Sequence, residues 1–190
     1  YTRVRGQVGE YLLAVHDSGR APADQRENLI RERKLQPSLV AHFQKAVERW
    51  SKREHPIFGP WVALTAVDGP GFAAAAKERL ARISAGDHPP TNLNRQVVAM
   101  LAAHKTPANL RELAAAYDEL FAGVDREWRQ ARTNQPAPTA LADPDRETLR
   151  AVLYGTRSPI MALSGGELTR FMDTPAQQKL RALQRRLDEL

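Results

Sequence analysis

The pattern that most constrains this fold is a run of apolar residues spaced mostly three and four apart. Its members are Leu110, Leu113, Tyr117, Leu120, Phe121, Val124 and Trp128. This spacing places them on one side of an α-helix, as in a helix that packs along its length against its neighbours. Just before it, Thr106-Pro107 combines a capping side chain with a proline suited to the first turn, which predicts that the helix begins there.

Apolar residues at helical spacing recur through much of the remaining chain. They predict further helices at residues 4–17, 24–34, 37–50, 72–83, 93–104 and 143–153. The first of these is expected to end at Ser18-Gly19, and Asp24 is expected to cap the second. Pro37 suits the first helical position of the third, and Asp143-Pro144 suits the start of the last.

These patterns together predict the fold class. No segment shows sustained period-two alternation with β-branched residues, and no signature recurs at the period of about 34 or 40 residues that is typical of helical repeats. We therefore expect an all-α fold, an irregular multi-helix bundle of about seven to nine helices.

The prolines suggest how the chain is divided. Residues 1–132 are expected to form one helical bundle, and residues 133–142, with two prolines and no charged residue, a linker or loop. Residues 143–190 are expected to add C-terminal helices that pack on the first part as one unit. There, Thr174 begins a capping box and the leucines at 180, 183, 187 and 190 follow in heptad register.

Composition excludes several kinds of chemistry. The chain has no cysteine, so this segment holds no disulfide, thiolate nucleophile, cysteine-ligated metal or c-type haem attachment. No apolar run approaches the roughly 18 residues of a membrane span. The net charge of +6 is spread over helices that also carry acids, which indicates a solvated mixed-charge surface. Polyanion binding stays open as an alternative, without a specific nucleic-acid motif.

Five segments carry a resemblance to a known kind of protein. They are Arg5-Gly-Gln-Val-Gly-Glu-Tyr-Leu-Leu-Ala14, Arg33-Lys-Leu-Gln-Pro37, His55-Pro-Ile-Phe-Gly-Pro-Trp61, residues 153–160 and residues 177–183. As a set they resemble large multidomain proteins of planctomycetes that join a planctomycete-type cytochrome c domain to two domains of uncharacterised function. This chain is similar to the helical region between those two domains.

The resemblance implies a context for the chain. It implies an exported, periplasmic or cell-surface location, haem c elsewhere in the parent protein, flanking domains of the same polypeptide as partners, and polysaccharide as a possible further partner. Because the chain opens in mid-pattern at Tyr1, we interpret it as a piece of a longer polypeptide.

The candidate interaction residues are Arg53, His55 and Trp61. Trp50 and Trp128 end apolar helical stripes and are assigned to the core, whereas Trp61 is the tryptophan least committed to packing. A histidine before proline is also typical of a turn residue or a hydrogen-bonded wedge, so His55 has a structural alternative. We assign no catalytic residue, no cofactor-binding residue and no metal ligand to this segment.

Other motifs are given structural interpretations. Leu163-Ser-Gly-Gly-Glu167 looks like the signature loop of ABC-type ATPases, but the chain has no phosphate-binding loop, and a capping box explains it. The five histidines are scattered singly. Glu48 with Lys52 and Asp125 with Arg129 stand at the spacing of surface ion pairs and need no further role.

Two functions remain open at this stage. The first is a helical scaffold or interaction module of a larger exported, cytochrome c-associated protein. The alternative is one wall of a carbohydrate-active or redox enzyme site that flanking domains complete. For the segment alone we do not predict an enzyme. A concave pocket containing Arg53, His55 and Trp61 beside an exposed carboxylate would favour the alternative, and a fully packed Trp61 would oppose it.

Overall fold

A computed structural model describes residues 2–52, 55–67, 69–85, 93–103 and 107–161, together with the isolated Gln178. These residues form nine α-helices and, among themselves, no strand: α1 Thr2–Arg5, α2 Val8–Arg20, α3 Ala23–Glu32, α4 Pro37–Ser51, α5 Gly59–Thr65, α6 Phe72–Ala85, α7 Arg95–Ala103, α8 Leu110–Ala131 and α9 Pro144–Tyr154. The all-α multi-helix fold is therefore confirmed.

Helix α8 forms the centre of the bundle, as its long apolar pattern predicts. Helices α1, α2, α5, α7 and α9 all pack against it, while α4 packs against α2. Tyr117, Phe121 and Val124 of α8 are fully buried. Their rings belong to an aromatic core in which Phe58 lies 5.8 Å from Tyr117 and 5.9 Å from Phe121, measured between ring centroids. The pattern that dominates the sequence thus organises the core.

Helices α2 and α8 approach each other closely at a glycine. A Cβ atom added to Gly9 would lie 1.8 Å from the backbone oxygen of Ala114, so only glycine fits at this crossing. One turn further along α8, the Asp118 carboxylate accepts a hydrogen bond of 2.6 Å from the Gly9 amide. We call this crossing, defined by Gly9, Ala114 and Asp118, the α2–α8 seam.

The start of α8 differs from the prediction. The helix begins at Leu110, and its cap is Asn109, whose side chain accepts a 3.0 Å hydrogen bond from the Glu112 amide. The Glu112 carboxylate in turn accepts from the Ala108 amide at 2.8 Å. The expected start at Thr106-Pro107 is wrong because these two hydrogen bonds cap the helix at Asn109, three residues after Thr106. Thr106 itself lies outside the described residues.

The boundaries of α2 and α3 also need correction. Helix α2 continues through Ser18 and Gly19 to Arg20, and nothing lies within 4 Å of a Cβ placed on Gly19. An exposed glycine can therefore stay helical at modest cost. Asp24 lies in the first turn of α3 and is not its cap, because the helix begins at Ala23 after Pro22.

Three other predicted boundaries are confirmed. Helix α4 begins at Pro37. Helix α9 begins at Pro144, and its cap Asp143 accepts a 2.9 Å hydrogen bond from the Arg146 amide. Helix α6 begins at Phe72 after a turn in which Gly69 and Gly71 adopt φ values of 137° and 90°.

Residues 133–142 form no helix or strand, and the helix that follows them, α9, packs against α7 and α8. The division into domains stays a prediction.

The capping box at Thr174, the leucine heptads and Leu163-Ser-Gly-Gly-Glu167 lie outside the described residues. Within the described part of the chain, no helix has the length and apolar character needed to cross a bilayer.

Candidate functional site

Trp61 is a core residue. Its side chain is 1% exposed, and its ring meets that of Tyr117 edge to face at a centroid distance of 6.2 Å. The prediction that Trp61 is the tryptophan least committed to packing is wrong, because the short helix α5 turns it inward. Trp50, assigned to the core by its position in the stripe of α4, does pack against the core but is only partly buried. Arg53, the third predicted interaction residue, lies outside the described residues.

His55 has a structural role in the turn that follows α4. Its Nδ1 accepts hydrogen bonds from the backbone amides of Ile57 at 3.2 Å and Phe58 at 3.3 Å. Two donors at Nδ1 require the neutral ring with its proton on Nε2. Burial lowers the pKa of His55 and so also favours this neutral form. His55 is therefore a hydrogen-bonded wedge before proline, which was the structural alternative for this residue.

The turn at residues 55–57 is fixed to the rest of the fold through its carbonyls. The Pro56 carbonyl accepts a 3.0 Å hydrogen bond from the Asn94 amide. The Ile57 carbonyl accepts a 2.7 Å hydrogen bond from the buried Tyr117 hydroxyl. A turn held at both carbonyls and at its histidine is a rigid part of the surface.

Asn94 joins this turn to α9. Its side-chain amide donates to the Asp145 carbonyl at 2.7 Å and to the Thr148 hydroxyl oxygen at 2.8 Å. Its side-chain oxygen accepts from the amides of Gln96 and Val97 and so caps α7. Asn94 is 4% exposed, and every one of its polar groups is paired. One buried asparagine thus fixes the distance between the turn and α9.

A surface groove lies between these two walls. It has a volume of about 440 Å³. We call it the α4–α9 groove and define it by Arg49, Trp50, His55, Pro56, Ile57, Thr148, Ala151, Val152, Arg157 and Pro159. Trp61 is not among the residues that line it. Of the two predicted interaction residues that the structure describes, the groove therefore contains one, His55.

An indole and two guanidinium groups dominate the chemistry of the groove. Trp50 stacks on Phe58 at a centroid distance of 4.0 Å and an interplanar angle of 18°, which holds the indole in place. Arg49 and Arg157 are both exposed, one on each wall. Among the residues that the structure describes, no carboxylate lines the groove and none forms an ion pair with either arginine. This arrangement favours an anionic ligand with an apolar face.

A second prediction, that Asp125 and Arg129 form a surface ion pair, needs correction. It does pair with Arg129, at 3.0 Å, but it is 3% exposed and so is not part of a surface ion pair. The Tyr154 hydroxyl donates to it at 2.5 Å, and Arg5 lies 3.8 Å from the same oxygen. Burial, together with the Asp125 carboxylate, raises the pKa of Tyr154 to about 12, so the hydroxyl keeps its proton. The cluster ties α1, α8 and α9 together. Glu48, which was expected to pair with Lys52, instead accepts a 3.2 Å hydrogen bond from the side-chain amide of Gln44.

Asp118 is the described carboxyl group with the most unusual acidity. Burial raises its pKa to about 7, with a further contribution from Glu10, and the amide donors of Gly9 and Glu10 oppose this. Groups with such pKa values are common in active sites. Here the carboxyl group lies in the α2–α8 seam and bonds the first turn of α2, which is a structural position.

Comparisons with known proteins add no assignment. The chain matches no family model, no curated protein and no solved structure. Within the described residues, no group of three or more histidine, aspartate or glutamate side chains is arranged to hold a metal ion. The site must therefore be interpreted from its own chemistry.

The sequence interpretation missed Asn94 and the two arginines of the groove. Asn94 had a usable signal, because asparagine is a preferred cap and Asn94 stands at the start of the helix expected at residues 93–104. Arg49 and Arg157 had none, since they lie 108 positions apart in the sequence (157 minus 49) among many similar arginines. Only the packing of α9 beside the end of α4 brings them to one groove.

Proposed function

We propose that this chain is a helical interaction module of a larger exported protein of the planctomycete cytochrome c type, and that it binds a partner through the α4–α9 groove. The observation that carries the proposal is the groove itself: a rigid surface with an indole and two exposed guanidinium groups. Its walls are fixed by buried hydrogen bonds, so the groove needs little reorganisation to bind.

The segments that carry the resemblance support a shared fold. Tyr11 and Leu12 from the first, Leu35 from the second, and Phe58 with Trp61 from the third are all buried. Residues with this role preserve packing, so they suggest the same helical scaffold and carry over no chemistry. The exported location, the haem elsewhere in the parent and the flanking domains as partners belong to the same proposal and rest on the resemblance.

The enzymatic alternative has less support. The structural feature that would favour it is a pocket shared by Arg53, His55 and Trp61, but Trp61 is buried in the core and His55 is occupied by two backbone amides. In the described part of the groove there is no carboxylate to act as a general acid or base. Binding is therefore the function that this geometry supports best.

Hydrogen–deuterium exchange on the complete polypeptide tests the proposal. The full reading frame around this chain would be expressed, and its exchange compared with that of the 190-residue chain alone. We expect slower exchange in the complete protein at residues 55–58 and 155–161, which border the groove. Helix α3, which buries no side chain, serves as the internal control and should exchange equally in both. Equal exchange at the groove in both proteins would contradict docking by a flanking domain.

A further inference from the structure

We propose that the partner of the α4–α9 groove is an acidic amphipathic peptide segment, with carboxylates that reach Arg49 and Arg157 and an apolar side chain that contacts Trp50. This inference rests on the proposed interaction module and specifies the chemistry of what it binds. It is carried by the combination of charge, apolar surface and hydrogen-bonding capacity in the groove.

The charge of the groove is uncompensated among the described residues. Several other arginines of this fold meet acids directly, as Arg33 does with Asp17 and Arg129 with Asp125. Arg49 and Arg157 have no such acid within the described residues and lie on opposite walls of one groove. A guanidinium group binds a carboxylate through two parallel hydrogen bonds, so the two walls offer two positions for Asp or Glu side chains.

The surface between the arginines is largely apolar. Trp50, Ile57, Val152 and Pro159 contribute to it, and the indole is held against Phe58. A fixed tryptophan in a groove is the kind of residue that dominates binding energy at protein interfaces, because it offers a large apolar area at little cost in side-chain entropy. The ligand should therefore place an aromatic or aliphatic side chain there.

The hydrogen-bonding capacity of the groove separates a peptide from a saccharide. A sugar presents many hydroxyl groups that need partners when they are buried. The described lining offers one side-chain hydroxyl, that of Thr148, and this group already donates to the Asp145 carbonyl and accepts from Asn94. An acidic amphipathic peptide matches both the two guanidinium groups and the apolar surface, and it presents fewer hydroxyl groups than a polysaccharide does.

A random library of twelve-residue peptides displayed on phage provides the probe. The library would be selected on the immobilised 190-residue chain and counter-selected on the Arg49→Glu, Arg157→Glu double variant. Both positions are exposed, so the substitutions should leave the fold intact, which circular dichroism and thermal unfolding would verify. We expect the selected peptides to be enriched in Asp and Glu together with aromatic or aliphatic residues.

A selected peptide would then be synthesised and titrated. Each single reversal, Arg49→Glu or Arg157→Glu, should weaken binding by about tenfold or more, and affinity should fall with added salt. The matched control is Arg79→Glu, an exposed arginine on α6 that does not line the groove, which should change affinity by less than about twofold. Oligogalacturonate would be titrated in parallel as the acidic saccharide.

Three outcomes would overturn the inference. These are selected peptides without acidic enrichment, a peptide affinity that both groove reversals leave unchanged, or arginine-dependent binding of oligogalacturonate where no peptide binds. None of these results contradicts slower exchange at the groove in the complete protein. A failure of the peptide inference is therefore distinguishable from a failure of the interaction-module proposal.

Discussion

The α2–α8 seam and the α4–α9 groove place their ionisable side chains in opposite situations. In the seam, the Asp118 carboxylate bonds the amide of Gly9, and the two backbones touch so closely that no Cβ fits between them. In the groove, the guanidinium groups of Arg49 and Arg157 face outward around a partly exposed indole. The seam uses its polar group to hold two helices together, whereas the groove leaves its polar groups able to bind another molecule.

This difference shows why an unusual group does not by itself mark a functional site. Asp118, with its raised pKa, and His55, with its lowered pKa, are the kind of residues that a search for active sites would select. Both have backbone amides as partners, which explains them structurally. The arginines of the groove are the better candidates for binding because they lie exposed beside a concave apolar surface.

The largest expected effect is at the seam. Gly9→Ala places a Cβ 1.8 Å from the Ala114 oxygen, so the two central helices must separate. We expect this substitution to lower the free energy of unfolding by about 3 kcal/mol or more, since a backbone contact relaxes less easily than a side chain. Urea denaturation followed by circular dichroism measures it.

The control for this prediction is on the same helix. Gly19→Ala meets nothing within 4 Å and should stabilise α2 by about 0.5 kcal/mol, because alanine loses less backbone entropy. If both alanine variants had the same stability as the original chain, the seam would not be the close contact described here.

The next largest effect is expected at the junction between the two regions. Asn94→Asp replaces the amide that donates to the Asp145 carbonyl and the Thr148 hydroxyl with an acceptor that repels both oxygens. We expect a loss of about 2–3 kcal/mol, since a buried donor is removed and a carboxylate oxygen is brought against two oxygens. In urea denaturation, an Asn94→Asp variant as stable as the original would show that the groove walls are not joined through this residue.

A smaller effect, in the pH dependence of stability, is expected from Asp118. Its pKa is about 7 in the folded state and near 3.8 when unfolded, so between these pH values the folded chain binds more protons. Stability from this group is therefore fully present below about pH 4 and is lost as pH rises toward 7. Asp118→Asn should remove this dependence. The measurement is thermal unfolding from pH 4 to 8, and parallel curves for the two proteins would contradict the assignment.

The sequence predicted the helices better than it predicted the site. Apolar spacing located α4, α8 and α9 because burial imposes a period that is visible in one dimension. The start of α8 was missed because two plausible caps lie three residues apart, at Thr106 and Asn109, and only packing and hydrogen bonds choose between them. Trp61 was expected to be the tryptophan least committed to packing because its short helix has too few residues to show a period. The groove was invisible, since it depends on how α9 packs beside α4.

The most direct test of this account is the quenching of tryptophan fluorescence by ions of opposite charge. Trp61 and Trp128 are 1% and 5% exposed, so a quencher in solution should reach mainly Trp50. With each ion's quenching divided by its quenching of free N-acetyltryptophanamide, iodide should be favoured over caesium, because Arg49 and Arg157 attract the anion. The Arg49→Glu, Arg157→Glu double variant should reverse that preference. The Arg79→Glu, Arg111→Glu variant, which changes the net charge equally, should keep it. An iodide preference that is absent, or that both variants alter alike, would contradict an accessible cationic groove.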